Sequence, residues 1–309
     1  MSQKITLSVS PHIHSGRSTA GIMRDVLIAL LPATLAGALI FGARALLVVA
    51  VSLLFSVGFE TLFNFLMKKP QTVGDCSAAV TGLLLALNLP ANIPLWQVAV
   101  GAFFAIVVVK CLFGGLGCNL VNPAITARVL MLVSFGAMAK PCMPSIVDTV
   151  ASATPLADGA ATVSLRNFFL GVHGGAIGET CALALLIGFA YLLVRRVITW
   201  HIPVAFVGCV FLFSLLLEGF AFYEALRQVL SGGLLLGAVF MATDYVTSPT
   251  TPLGRIVFGV GAGLITVLIR YFGSYPEGVS FAILFMNILT PYIDRLARRR
   301  VFGKGGKTA

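Results

Sequence analysis

The chain has 309 residues, 58% of them hydrophobic and only 10% charged, with a formal net charge of +10. A soluble domain carries roughly 25% charged residues, so this composition, with a mean hydropathy of +1.00, excludes an ordinary water-soluble enzyme. The positive balance does not point to nucleic acid either. Arg295, Arg298, Arg299, Arg300, Lys304 and Lys307 gather directly after an apolar segment, where they suit the anionic headgroups of membrane lipid.

Apolar runs approaching the roughly 20 residues that cross a hydrocarbon core recur along the chain. They predict an all-α membrane protein of about ten transmembrane helices. A polar segment, 1–23, comes first and carries His12 and His14, which read as surface residues. Spans are expected at 24–42, 45–66, 76–90, 95–113 and 122–139, making a first repeat over 24–139. The 140–174 connection is long for a compact membrane protein, and loops of that length are commonly functional. Spans at 175–194, 201–219, 228–242, 254–272 and 277–294 make a second repeat over 175–294, and 295–309 is the basic tail.

The third and eighth spans are short and run into proline-bearing polar stretches, Leu89-Pro90-Ala91-Asn92-Ile93-Pro94 and Thr243 through Pro252. Thr81-Gly82-Leu83-Leu84-Leu85-Ala86 corresponds in position to Gly237-Ala238-Val239-Phe240-Met241-Ala242. The helix after each break ends at Lys110-Cys111-Leu112-Phe113-Gly114 in one half and Arg270-Tyr271-Phe272-Gly273 in the other. Five spans per half force the repeats into opposite orientations, an arrangement in which broken helices meet near the midplane.

Of the 21 lysines and arginines, 14 fall on the side bearing both termini, 5 on the other, and Lys110 and Arg128 lie inside spans. Both termini are therefore expected in the cytoplasm and the 140–174 loop outside it.

Ionisable groups within a bilayer are costly and tend to be paired or functional. Glu60, Glu179 and Glu277 lie close enough to predicted span ends to be expected to reach the headgroups. Arg128, one and a half turns into the fifth span, has no such outlet. Asn119 and Asn122 lie beside that span. Asp244, Thr247, Ser248, Thr250 and Thr251 offer oxygen atoms along one broken segment, for a flavin or a cation. The six cysteines, at 76, 111, 118, 142, 181 and 209, include no CxxC pair and read as small buried hydrophobes. No glycine-rich nucleotide motif is present.

The stretch Asp148-Thr149-Val150-Ala151-Ser152-Ala153-Thr154-Pro155-Leu156 lies in the outer loop. Small residues flank Thr154, and Pro155 biases it toward an extended backbone, which presents the hydroxyl to an approaching enzyme. Asp148-x-x-Ala151-Ser152-Ala153-Thr154 resembles the flavinylation motif of the D subunit of Rnf-type ferredoxin:NAD oxidoreductases and of the B subunit of the sodium-pumping NADH:quinone reductase. Ser10-Pro11-His12, Ile22-Met23, Thr81 through Pro90, Asn122-Pro123-Ala124, Asp244 through Pro249 and Phe285-Met286-Asn287 are similar to that family too, so the resemblance covers nearly the whole chain. The length favours the Rnf subunit.

The resemblance implies a flavin-carrying subunit of the bacterial cytoplasmic (inner) membrane. FMN would be joined to Thr154 through a phosphoester by a dedicated flavin transferase, with Asp148, Ser152, Ala153, Pro155 and Leu156 around it. A second, non-covalent flavin (riboflavin) would sit among the helices near Asn122, Arg128, Asp244, Thr247 and Ser248. The complex would couple electron transfer between ferredoxin and NAD to Na⁺ or H⁺ movement, with membrane, flavoprotein and iron–sulfur subunits as partners. The other reading of the broken helices is an inverted-repeat transporter or channel for a small polar solute. A cysteine introduced within 148–156 should react with a membrane-impermeant maleimide on intact cells and stay unlabelled in inverted vesicles. The reverse pattern would invert the topology.

Overall fold

The computed structural model describes residues 18–135, 142, 164–273 and 278–297. These residues form helices, with an isolated bridge between Cys142 and Gly175 as the β pairing among them. The segment around Thr154 lies outside the described residues, as do His12, His14 and Glu277.

The first helix, α1 (Thr19–Phe41), starts where the Ser18 hydroxyl accepts from the Gly21 amide and stops at Gly42, whose φ is 74°. Helix α2 (Ala43–Leu66) follows immediately. Helix α3 (Ser77–Leu87) is short and buried at ten of its eleven positions. A helix apolar all round belongs in an interior. It ends at Asn88-Leu89-Pro90, since proline clashes with the continuing helix. Gly82 lets α2 approach closely, and the Ser52 hydroxyl donates to the Gly82 carbonyl at 2.7 Å.

Helix α4 (Leu95–Phe103) begins after Pro94 and continues as a π-helical stretch, Phe104–Cys111. Helix α5 (Pro123–Ser134) has Asn122 as its cap, the side chain accepting from the Ala124 and Ile125 amides, with Pro123 at the first position where a missing N–H costs nothing.

A one-and-a-half-turn helix, α6 (Leu165–Leu170), precedes α7 (Ala182–Val194). The expected sixth span from residue 175 therefore begins seven residues late. Residues 171–181 are irregular and fold inward: the Ile177 and Gly178 amides donate to the carbonyls of Leu89 (3.0 Å) and Leu87 (2.8 Å). Gly178 fits because a Cβ there would stand 2.5 Å from Leu87 Cβ.

Helix α8 (His201–Leu217) is followed by α9 (Phe222–Leu230) and α10 (Leu234–Met241), which are bent by 62° at Ser231-Gly232-Gly233. The predicted eighth span is thus two short pieces. Its second piece passes into a π turn, Gly237–Met241. Helices α11 (Pro252–Phe272) and α12 (Val279–Leu296) complete the order.

Among the described residues four helices, α1, α2, α11 and α12, are long and apolar enough to cross a membrane singly, and the bent α9–α10 pair makes a fifth candidate. Leu39, Leu54, Phe65 and Val194 are largely exposed, whereas Ser52, Asn88 and Thr266 are buried and hydrogen-bonded. Apolar residues outside and polar ones paired within is the arrangement that lipid as solvent selects. The protein is membrane-embedded.

Helix α11 packs most closely on α8, through the Gly259-x-x-x-Gly263 pair. A Cβ would lie 2.8 Å from Ala205 Cβ at the first glycine and 2.6 Å from Cys209 Cβ at the second. Small residues at this spacing allow backbones to touch where no water-driven force holds helices together. Gly208, also in α8, has nothing within 4 Å of such an atom. Gly263→Ala should lower stability by about 1–3 kcal/mol through overpacking. Gly208→Ala should be neutral or stabilising by up to about 1 kcal/mol, as expected for alanine in a helix. Thermal unfolding of the detergent-solubilised protein checks the contrast, and equal effects at the two sites would count against the packing described.

Candidate cofactor cleft

A cleft enclosing about 760 Å³ of empty space, its open mouth included, lies between α1, α3, the end of α4, the start of α5 and α10. Val26, Leu84, Leu192, Val239 and Phe240 give it apolar walls, while Ser77, Thr81, Lys110, Asn119, Asn122, Thr243, Asp244 and Tyr245 supply polar groups. A few polar groups on apolar walls is how small-molecule and cofactor sites fix orientation.

Each polar group is placed by a local rule. Gly114, Gly115 and Gly117 take φ of 119°, 96° and 90°, values open to glycine and strained for other residues. The loop they form returns Leu116 and Asn119 to the cleft. Asn119 Oδ1 is buried with no hydrogen-bond partner among the described residues. Lys110 sits on the π-helical end of α4, a distortion frequent at functional sites. Its Nζ donates to Ser77 Oγ at 2.5 Å and to Glu60 Oε1 at 2.8 Å. Thr72 donates to the same carboxylate oxygen at 2.9 Å, and Asn64 to Thr72 at 3.0 Å. Glu60 Oε2 has no hydrogen-bond partner among the described residues.

Asn122 Nδ2 donates to the Met241 carbonyl at 3.3 Å. With its amide turned to satisfy both neighbours, Asn287 accepts from the Asn122 amide at 3.1 Å and donates to the Thr247 carbonyl at 3.2 Å. The Thr247 hydroxyl donates to Asp244 Oδ2 at 3.2 Å, and Thr290 to the Thr247 carbonyl at 2.9 Å. At the mouth, the Tyr245 hydroxyl donates to the Val197 carbonyl. Val197 and Ile198 follow shortly after Arg195, whose guanidinium pairs with Asp25 at 3.2 Å. That hydrogen bond, with the carboxylate's charge, raises the Arg195 pKa further above its ordinary value.

The structure divides the polar residues predicted to share one place. Asn122 and Asp244 line the cleft, with Thr247 behind Asp244. Ser248 lines an adjoining cavity with Thr199, Thr250 and Arg255. Thr250 donates to Asp294 Oδ1 through its amide (3.0 Å) and hydroxyl (3.2 Å), and Thr251 caps α11. Arg128 lies behind the cleft, its Nη1 donating to Asn88 Oδ1 at 2.6 Å. Thr154, with Asp148, Ser152, Ala153, Pro155 and Leu156, falls outside the described residues.

Two expectations are corrected. Glu60 and Glu179 do not reach the headgroups: both are buried, in pairs with Lys110 (2.8 Å) and Arg128 (3.7 Å). Each carboxylate has a buried cation near at hand, and pairing lowers its energy more cheaply than distorting a helix to find water. Sequence reasoning passed over Ser77, Thr81, Thr243 and Asn88. For Asn88, the signal was a polar residue directly before the helix-ending Leu89-Pro90.

The profile of the NQR2, RnfD, RnfE family matches residues 6–303. The chain is 46% identical to the D subunit of the Na(+)-translocating ferredoxin:NAD(+) oxidoreductase complex of Acetobacterium woodii, over 97% of this chain and 95% of that one. It is 39% identical to the D subunit of the proton-translocating ferredoxin:NAD(+) oxidoreductase complex of Clostridium ljungdahlii, over 96% of each. Identity to the D subunit of the ion-translocating oxidoreductase complex of Actinobacillus succinogenes is 35%, over 97% and 98%. A family match over nearly the full length, on a membrane-embedded helical chain with a polar cleft at its broken helices, places this protein in the NQR2, RnfD, RnfE family.

Proposed function

We propose that this chain is the flavin-carrying membrane subunit of an ion-translocating ferredoxin:NAD oxidoreductase complex. It lies in the bacterial cytoplasmic membrane as ten spans in two inverted five-helix repeats, with both termini in the cytoplasm. The 140–174 loop carries FMN on Thr154, attached by a flavin transferase, and a non-covalent flavin, riboflavin, occupies the cleft. Partner subunits supply the nucleotide site and the iron–sulfur clusters.

The observation that carries the reading is the cleft itself. Its apolar walls suit a flat aromatic ring, and its polar edge mixes donors and acceptors as the pyrimidine edge of a flavin requires. Asn119 Oδ1, a buried acceptor without a partner among the described residues, is satisfied by a ring N–H. An unmet buried acceptor costs roughly 1–3 kcal/mol, so the fold gains when a ligand supplies the donor.

When bound, a flavin supplies the ability to pass electrons singly, and the protein supplies tethering and electrostatics. Asn119 and Asn122 orient the ring edge, Val239 and Phe240 exclude water, and Lys110 holds a positive charge at the cleft wall. Asp244, fixed by Thr247, faces the same space. Thr154 needs no pocket of high affinity, because a covalent link keeps its group in place.

In-gel fluorescence after denaturation should show a covalent flavin that is lost in Thr154→Ala. A fluorescent Thr154→Ala band would place the attachment elsewhere. Asn119→Ala should reduce the non-covalent flavin extracted from the purified complex by about tenfold, the worth of one hydrogen bond of roughly 1.4 kcal/mol, while leaving the covalent flavin intact. Unchanged extraction would remove the cleft from the reading. The broken α3 and α9–α10 helices also suit a transporter of small polar solutes. For that reading the purified chain would carry no flavin and would conduct solute in liposomes.

A further inference from the structure

Resting on the flavin reading of the cleft, we infer that Arg128 and Glu179 are positioning residues that set the charge behind the cleft, between it and the segment leading from the outer loop. Arg128 is six residues beyond Asn122 on α5, about 9 Å along the helix axis at 1.5 Å per residue. Its Nη1 donates to Asn88 Oδ1 at 2.6 Å, and its Nη2 lies 3.7 Å from Glu179 Oε2. Asn88 Nδ2 in turn contacts Met241 Sδ at 3.6 Å, and the Met241 carbonyl accepts from Asn122 in the cleft wall. Glu179 Oε1 accepts from the Ala176 amide at 2.9 Å. Met241, Asn88 and the Arg128–Glu179 ion pair thus bridge the space between the cleft wall and the 174–180 segment.

All three side chains are buried, with relative exposures of 2% for Asn88 and 4% for both Arg128 and Glu179. Gly233 backs the pair, and a Cβ there would come within 3.0 Å of Arg128 Nη1 and 3.3 Å of Glu179 Oε2. The pair has a made-to-measure place, although apolar residues of similar volume generally serve stability as well or better. What apolar residues cannot supply is a fixed charge in a medium that screens it weakly. Arg128 favours the more negative, reduced form of a flavin in the cleft, and Glu179 opposes it. A flavin held in the cleft would supply the redox chemistry, and Arg128 and Glu179 would act on it by their charge alone, gaining and losing neither electron nor proton.

The test is a spectroelectrochemical titration of the purified full-length chain in a Thr154→Ala background, where neither its covalent flavin nor any flavin or iron–sulfur group of a partner subunit responds. Arg128→Gln should shift the cleft flavin to a lower midpoint potential, Glu179→Gln to a higher one, and Arg128→Lys should leave it near the parent value. Opposite shifts support the charge-setting role. Shifts of the same sign, or none, overturn it and assign the pair to structure alone. Should Arg128→Gln fail to assemble, Glu179→Gln decides: an upward shift supports the inference, and any other result overturns it. If the parent chain holds no titratable non-covalent flavin, the flavin reading fails together with this inference, and that is visible before Arg128 or Glu179 is changed.

Discussion

A backbone that stops being helical inside a membrane must find partners for the groups it frees, because lipid offers none. Most of this architecture follows from that constraint. The chain breaks its helices at Asn88 to Pro94, at Ser231 to Gly233 and at Ala242 to Thr251. Each break is closed by groups far away in sequence. The Leu87 and Leu89 carbonyls accept from Gly178 and Ile177, and Ile93 accepts from Arg44 Nη2 at 3.1 Å. Met241 accepts from Asn122, and Thr247 from Thr290. In the second half, Arg270 donates to the carbonyls of Gln228 (2.5 Å) and Ser231 (3.1 Å) beside the α9–α10 bend. The breaks are therefore not weak points of an irregular loop. They are the places where distant parts of the chain are fastened together.

The buried charges obey the same logic at higher stakes. A charge stripped of its partner in a low-dielectric interior is destabilising by about 3–5 kcal/mol. Glu60 and Lys110 come from α2 and the end of α4 and meet beside Ser77, the first residue of α3. Arg128 and Glu179 meet beyond the other end of that helix, at Asn88. Helix α3 thus has an ion pair near each end. Its lateral neighbours are fixed by small residues, as at Gly82 against Ser56, where a Cβ would be 2.7 Å from the hydroxyl oxygen. A half-helix held at both ends and along its side presents Thr81 and Leu84 to the cleft in a constant position.

Much of this was legible in the sequence because the relevant signals are local. Apolar runs marked the long helices, and Pro90, Pro94, Pro249 and Pro252 marked the breaks, since proline acts on its own turn of helix. Arg128 stood out because an arginine so far from a predicted span end has to be accommodated inside. What escaped was non-local. Glu60 and Lys110 are 50 residues apart, and nothing in either neighbourhood names the other, so Glu60 read as a headgroup-seeking residue. The stretch 171–181 is apolar enough to pass for the start of a span, and only Gly171, Gly174, Gly175 and Gly178 hinted at close irregular packing. The oxygen-rich run from Asp244 to Thr251 looked like one site, but the turns within it send successive side chains to the cleft, to a second cavity and to Asp294.

The same close packing bears on the choice between the two proposed readings. A solute carrier needs an interior with two stable arrangements, so that a site opens first to one side and then to the other. Between the cleft and the 174–180 segment, this interior is instead filled by Asn88, Arg128 and Glu179, with Gly178 seated against Leu87 and Gly233 against the ion pair. To open a path there, the chain would have to separate a buried guanidinium from its carboxylate and unseat carbonyl contacts of α3, each a costly step in lipid. An electron requires no such opening. It can cross packed protein between fixed positions, and rigidity then helps, because a constant separation and a constant electrostatic environment are what a membrane-bound redox group needs from its scaffold.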